Sequence, residues 1–272
     1  MLKAQIKGYM RRDGVYVKPH DNGKAAAAPE QAKKVVYKPQ PKDVPYGTHR
    51  LKDNGYLPKK VVHHPRLGET GKRVVVHKPT EQTKPETWAK SSEVATFVPN
   101  GESPAEINGL PLNSWENHPK TEFGWAFVKG TNDSIKEKPL HVPAGMRAAS
   151  GVIIEEPDGR VWIISPTNSF GGYKNTFPKG GTEPGLSLQQ NAIKETWEES
   201  GLQIEITGVL GDFPRTTSVA RMYTAKRVGG TPIDMGWETQ AVRLVPKSNL
   251  RGLMNMKADQ LVLDKYLGDK KE

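Results

Sequence analysis

The sequence predicts an α/β fold over residues 144–272, a mixed sheet with helices over it, behind a basic and largely disordered N-terminal region. Three observations carry that expectation. β-prone runs recur from Ala148 onward with turn residues between them. One stretch, Ser187 to Gly201, carries helical start and stop signals. The positive charge of the chain is concentrated at its front, where apolar residues are sparse.

The front divides from the rest by charge. The 272 residues carry a formal charge of +10, yet residues 1–90 hold 20 Lys/Arg against 8 Asp/Glu, while the remainder holds 20 against 22. Residues 1–90 are rich in Lys, Pro, Gly and Ala, and read as an extended or disordered tail that buries too little surface to offset chain entropy. Within the tail, Val15-Tyr16-Val17-Lys18-Pro19, Val35-Val36-Tyr37-Lys38-Pro39, Lys60 to Pro65 and Val74 to Pro79 echo one another at irregular spacing, so no solenoid is implied. Asp13-Gly14 suits a small hairpin turn. Lys and Arg interleaved with Tyr9, Tyr16 and Tyr37 suit nucleic-acid phosphates and bases or another acidic partner, with a solubilising linker as the alternative. His63-His64 and His77 read as incidental rather than metal-binding. KGYMRRDGVYVKPH is similar to short basic motifs at the N-termini of phage- and mobile-element-associated proteins, over fewer than about twenty residues.

There is no cysteine, which excludes disulfides, thiolate metal sites and a cysteine nucleophile, and leaves the cytoplasm as the expected compartment. MLKAQIKGYMRRDG lacks a signal-peptide apolar run, and no stretch approaches the roughly 18–20 apolar residues of a membrane span. Residues 91–143 regain charge balance and apolar residues, among them Phe97, Ile107, Leu110, Trp115 and Gly124-Trp125-Ala126-Phe127-Val128. They read as a leader segment packing on the domain that follows.

In that domain, Ala148–Glu155 and Arg160–Ser165 are strands joined by the hairpin signal Pro157-Asp158-Gly159. Ser187 and Gln190 form a capping box, Leu188, Ala192 and Ile193 give the helix an apolar side, and Gly201 stands where a left-handed cap is needed. Strands follow at Ile204–Leu210, Val219–Lys226 and Thr239–Val245, then helices at Ser248–Met254 and Ala258–Leu267.

The chemistry concentrates on that helix. Glu195, Glu198 and Glu199 stand three and four positions apart, on one helical face, and like charges that close call for a cation. Ahead of them Phe177-Pro178-Lys179-Gly180-Gly181 offers backbone that can approach phosphate closely, with Lys179 in reach. Carboxylate oxygens beside exposed amides suit Mg²⁺ or Mn²⁺ and a pyrophosphate.

Gly180 to Leu202, GGTEPGLSLQQNAIKETWEESGL, resembles the Nudix box: Gly180 matches its opening glycine, Glu195, Glu198 and Glu199 its later glutamates, and Gly201-Leu202 its close. Leu186 stands where the box has its first glutamate, Lys194 where it has arginine, and Thr196 where an aliphatic residue is usual. The resemblance covers about 130 residues and implies an α/β/α sandwich that hydrolyses phosphoanhydrides, with Mg²⁺ or Mn²⁺ held by Glu195, Glu198 and Glu199. The substrate it implies is a nucleoside diphosphate linked to another group, such as ADP-ribose or a dinucleoside polyphosphate, or a diphosphoinositol. Lys179, Gly180, Gly181, Tyr173, Arg215 and Arg221 are candidate substrate contacts, and the general base is either a box glutamate or Glu238. Asn175 replaces the tryptophan of many relatives with this loop. An RNA 5′-end pyrophosphohydrolase using the tail, and a non-catalytic binding module in a phage or mobile-element setting, are the alternatives.

Overall fold

The structure is a computed structural model that describes residues 61–268 and, ahead of them, two short strands. β1 (Tyr9–Met10) pairs antiparallel with β2 (Tyr16–Val17), Tyr9 opposite Val17, while the expected Asp13-Gly14 turn lies outside the described residues. The other expectations for residues 1–60, including the extended tail, the tyrosine-interleaved basic surface and the phage-type motif, lie outside the described residues.

Contacts divide the chain after Lys60, thirty residues before the expected end of the tail near residue 90. β3 (Val62–Leu67) and β4 (Arg73–Val76) form an antiparallel hairpin, and a 3-10 turn at Pro85–Ala89 buries Trp88. Arg160 fastens that turn, donating to the carbonyls of Thr87, Lys90 and Trp88 at 3.2, 3.3 and 2.7 Å. Charge counting assigned residues 61–90 to the tail because lysines there mask a few apolar anchors.

His64 docks the hairpin. Its buried ring accepts the Arg66 N–H at Nδ1 (3.0 Å), so Nε2 carries the proton and donates to the Thr239 carbonyl at 3.0 Å. Burial, reinforced by the Arg66 charge and opposed by the two hydrogen bonds, holds its pKa below the usual 6.5. Asp234, ion-paired to Arg66, is the other charged group here. Because the folded value lies below the unfolded one, this stabilisation is present above about pH 6.5 and is lost as pH falls through the folded value. Melting temperature should therefore fall between about pH 7 and about pH 5 by more in wild type than in His64→Gln.

After β5 (Ala95–Phe97), a small hairpin of β6 (Glu106–Ile107) and β7 (Leu110–Pro111) and the single turn α1 (Glu122–Trp125), the main sheet begins. It comprises β8 (Arg147–Glu155), β9 (Arg160–Pro166), β10 (Lys179–Gly181), β11 (Leu202–Pro214), β12 (Ser218–Gly230), β13 (Thr239–Pro246) and β5. The order is β11-β12-β8-β9-β13-β5, with β10 also paired to β8; β12 and β8 run parallel and the other pairs antiparallel, so the sheet is mixed.

Period-two alternation sends side chains to opposite faces. Val152, Ile154, Trp162 and Tyr223 meet α2 (Leu188–Ser200) and the leader residues Ile107, Leu112, Trp125 and Val128. Ile153, Val161, Ile163 and Met222 meet α3 (Lys247–Leu253) and α4 (Lys257–Leu267) through Leu250, Met254, Val262 and Leu263. Helices on both faces make the expected α/β/α sandwich, and explain why β8 and β9 read as continuous apolar runs. The leader is tied down by a buried pair: Arg227 Nε donates to Glu156 Oε1 at 2.5 Å and its Nη2 to the Ile107 carbonyl at 3.0 Å.

Candidate active site

The box helix α2 is capped as its sequence requires. Ser187 accepts the Gln190 N–H, the Gln190 side chain answers the Ser187 N–H at 2.8 Å, and Gly201 closes the helix at φ 71°. Its acids share one helical face but not one exposure. Glu195 folds back on β10 and is 6% exposed. A Cβ on Gly180 would sit 2.1 Å from its carboxyl carbon, so glycine is needed there to admit Glu195, and the expected reason, approach of a phosphate, is replaced. Glu199 Oε2 accepts the Lys179 N–H at 2.7 Å. Glu198 is drawn aside: Lys194 Nζ lies 2.6 Å from its Oε1 and 3.0 Å from Glu183 Oε1.

Glu183 explains two departures from the box. The acid missing at Leu186 is supplied three residues earlier, where Asn191 Oδ1 also accepts the Glu183 N–H at 3.0 Å. Leu186 is then released to pack against the core. Glu183 escaped the sequence reading because the box fixes attention on one spacing; its position in the loop entering α2 was the available signal. Thr196 fits an apolar slot because its hydroxyl donates to the Ala192 carbonyl at 2.7 Å.

Opposite the acids lies a cationic group. Arg215 follows β11 and is only 7% exposed at its side chain; it donates to Asp259 Oδ1 at 2.9 Å and to the Tyr173 hydroxyl at 3.2 Å. Lys179 Nζ stands 4.8 Å from the Tyr173 ring centre. Lys179, Tyr173 and Arg215, named separately from sequence, thus come together. Asp259, from the first turn of α4, was missed; the signal was an acid among the apolar residues of a closing helix.

Arg221 does not join them. It is buried on β12, with Nε and Nη2 each 2.7 Å from Asp212 and Nη1 2.9 Å from Glu137 and 2.7 Å from the Lys138 carbonyl. Its fork is filled by the protein's own acceptors, so it braces the leader against the sheet in place of the expected substrate contact. Asn175 is likewise engaged, accepting from Ser165 Oγ at 2.7 Å and donating to the Leu253 carbonyl at 2.8 Å. Gly181 lies in β10, opposite Ala149. Glu238 is exposed on the loop before β13, with its carbonyl accepting the Thr167 N–H at 2.8 Å.

Burial pushes the Glu199 carboxyl up to about 8, Lys179 opposing and Glu195 and Glu238 adding to the rise. Burial first, and then the Arg215 charge, holds Lys179 below the usual lysine range, against Glu199, Asp259 and Glu195. Among the described residues no three His, Asp or Glu side chains converge as a metal cage, because Lys194 diverts Glu198. The donor chemistry nevertheless fits a hard divalent cation: Glu195 is buried, Glu199 half-buried beside it, and such an ion would relieve their mutual repulsion.

Carboxylates folded onto a glycine-bearing strand, with a lysine and an arginine across from them, thus lie within one α/β/α domain. Residues 145–265 are a NUDIX domain, matched over those positions by the family model of that description. The RNA pyrophosphohydrolases of two Caulobacter vibrioides strains are each 36% identical over 70 residues, covering 24% of this chain and 41% of theirs. The chain therefore spans about two fifths of the length of the curated relatives it matches. Among solved structures, a NUDIX hydrolase from Nitrosomonas europaea is similar over 46% of this chain and 91% of its own, with 17% identity and a TM-score of 0.41. A putative nudix hydrolase family member from Chromobacterium violaceum gives 48%, 83%, 21% and 0.39.

Proposed function

We propose that the chain hydrolyses a phosphoanhydride in a reaction dependent on Mg²⁺ or Mn²⁺, on a substrate in which a nucleoside diphosphate or an inositol diphosphate is linked to another group. The observation that carries this reading is the face-to-face placement of Glu195 and Glu199 with Lys179, Tyr173 and Arg215 around the β10 backbone. Glu195 and Glu199, with Glu198 once released from Lys194, are the residues that would hold the ion. A bound divalent ion neutralises phosphate charge and eases deprotonation of water. Lys179 and Arg215 bind and orient phosphoryl oxygens, and the Tyr173 hydroxyl fixes the arginine. Glu238 takes a proton from the attacking water, whose oxygen forms the new P–O bond as the bridging P–O bond breaks and the leaving phosphate departs with the electron pair.

A second reading is supported by the curated relatives: the substrate is a 5′-triphosphate RNA end, held by the basic residues ahead of the domain. One experiment separates these readings. Product release is measured from ADP-ribose, dinucleoside polyphosphates, diphosphoinositols and 5′-triphosphate RNA, with Mg²⁺ or Mn²⁺, for the full chain and for a chain lacking residues 1–60. The small-molecule reading expects turnover that the truncation leaves within about twofold. The RNA reading expects a loss on RNA alone, about tenfold or more, that shrinks as salt rises. Folded protein inactive on every substrate would refute both and leave a binding module.

A further inference from the structure

The loop from Thr231 to Thr239, which carries Glu238, is gripped from three sides. From α2, the Glu198 carbonyl accepts the Gly236 N–H at 2.7 Å. A Cβ on Gly236 would lie 2.6 Å from that oxygen, so only glycine brings the loop this close to the box. From the end of β9, Thr167 donates its N–H to the Glu238 carbonyl and its hydroxyl to the Trp237 carbonyl, both at 2.8 Å.

The third grip comes from outside the matched NUDIX domain. His64 Nε2 donates to the Thr239 carbonyl at 3.0 Å, and Arg66 pairs with Asp234 at 3.3 Å, so β3 holds the loop at its end and at Asp234 within it. Next to it, Asn168 Nδ2 donates to the Val75 carbonyl and its Oδ1 accepts the His77 N–H, each at 2.8 Å. Gln240 completes the tie, accepting the Asn168 N–H at 2.8 Å and donating to the Lys78 carbonyl at 3.0 Å and Thr80 Oγ1 at 2.9 Å. Both His64 ring nitrogens are used, and the Nε2 bond lands on the residue after Glu238.

We propose that the β3–β4 hairpin is a strap that sets the position of Glu238 over the box, with His64 as its positioning residue. This rests on the reading of Glu238 as the general base. A base must stand within hydrogen-bond reach of its proton, and a displacement on the order of 1 Å can cost about 100-fold in rate. The position of an exposed side chain on such a loop depends on how firmly the backbone on either side is fixed. The strap fixes it at Asp234 and at Thr239, and Gly236 fixes the middle. Without His64, the Thr239 carbonyl and the Arg66 N–H both lose their partner.

The test uses the full chain with His64→Ala, Glu238→Gln and the double variant. Gln240→Ala serves as a second probe that cuts the neighbouring tie should His64→Ala fold poorly. Amide hydrogen exchange over residues 231–240 is expected to quicken by about tenfold in His64→Ala, while α4 stays unchanged. Loop exchange equal to wild type in both His64→Ala and Gln240→Ala would overturn the strap, whether or not any substrate is turned over. On the best substrate, His64→Ala should lower kcat by about 10- to 100-fold with KM within about threefold, and should add little once Glu238→Gln is present. Equal losses in the presence and absence of Glu238 would show general loosening and overturn the positioning role. A wild type that turns over nothing would sink the hydrolase reading instead, with the exchange result still deciding the strap.

Discussion

Glu199→Gln is expected to reduce metal-dependent turnover by about 1000-fold or more, equivalent to roughly 4 kcal/mol of transition-state stabilisation. The protein should remain folded. Glu199 is half-buried beside Glu195 and receives the Lys179 N–H and the Lys179 charge in compensation. Its carboxyl is pushed up to about 8, so near neutral pH folding must take up a proton that the unfolded chain has released, and the fold is opposed by that cost. The sign follows from linkage: with the folded value above the unfolded 4.5, what this group contributes to stability is present below about pH 4.5 and lost as pH rises through about 8. Glutamine removes that strain, so the melting temperature of the metal-free variant at about pH 8 should equal or exceed that of wild type. Turnover and melting measured on the same preparation check both halves. Wild-type turnover in the variant would remove Glu199 from the site.

The second large effect is on stability. Glu156→Gln should destabilise residues 61–268 by about 3–5 kcal/mol, because it leaves the buried Arg227 guanidinium without its counter-charge. For a unit of this size that corresponds to a fall in melting temperature of roughly 6–15 °C. Glu156 also accepts from Trp162 Nε1 at 2.8 Å and from Asn108 Nδ2 at 3.0 Å, so one carboxylate joins strand, hairpin and leader. Replacing both charges, as Glu156→Gln with Arg227→Met, should recover part of the loss. A single variant that melts within about 2 °C of wild type would mean that water or a relaxed leader takes over the pairing.

Much of the domain was legible because its signals are local. The capping box at Ser187 and Gln190, the Pro157-Asp158-Gly159 turn and the apolar runs of β8 and β9 depend on neighbours a few residues away, and each is found where expected. The strands were read short at their ends: β11 runs from Leu202 to Pro214 and β12 from Ser218 to Gly230, because long antiparallel pairing carries polar residues along with it. Within the site, the spacing of the glutamates was legible but their partners were not. Glu183 and Asp259 find Lys194 and Arg215 only through the tertiary fold. Arg221 looked like a free fork because Glu137, which fills it, belongs to the leader. Lysine-rich composition concealed the anchors His64 and Trp88, since a charge count weighs every residue alike and a hairpin needs only two or three buried side chains.

The parallel pairing of β8 with β12 also dictates the order in which the molecule can assemble. Arg147 to Ile154 must wait for Ser218 to Ala225, and between them lie β9, β10, the box helix and β11. Closing so long a connection is entropically costly and slow, whereas the capped helix and the β8–β9 turn need only local contacts. The box helix can therefore form early, before β10 sets its acids and before a lysine–arginine wall faces them. That wall needs α4 docked, since Asp259 holds Arg215. During refolding, helical signal should return well before the ability to retain a phosphate, and the interval between them is the lifetime of a chain that has its acids but cannot yet grip an anion.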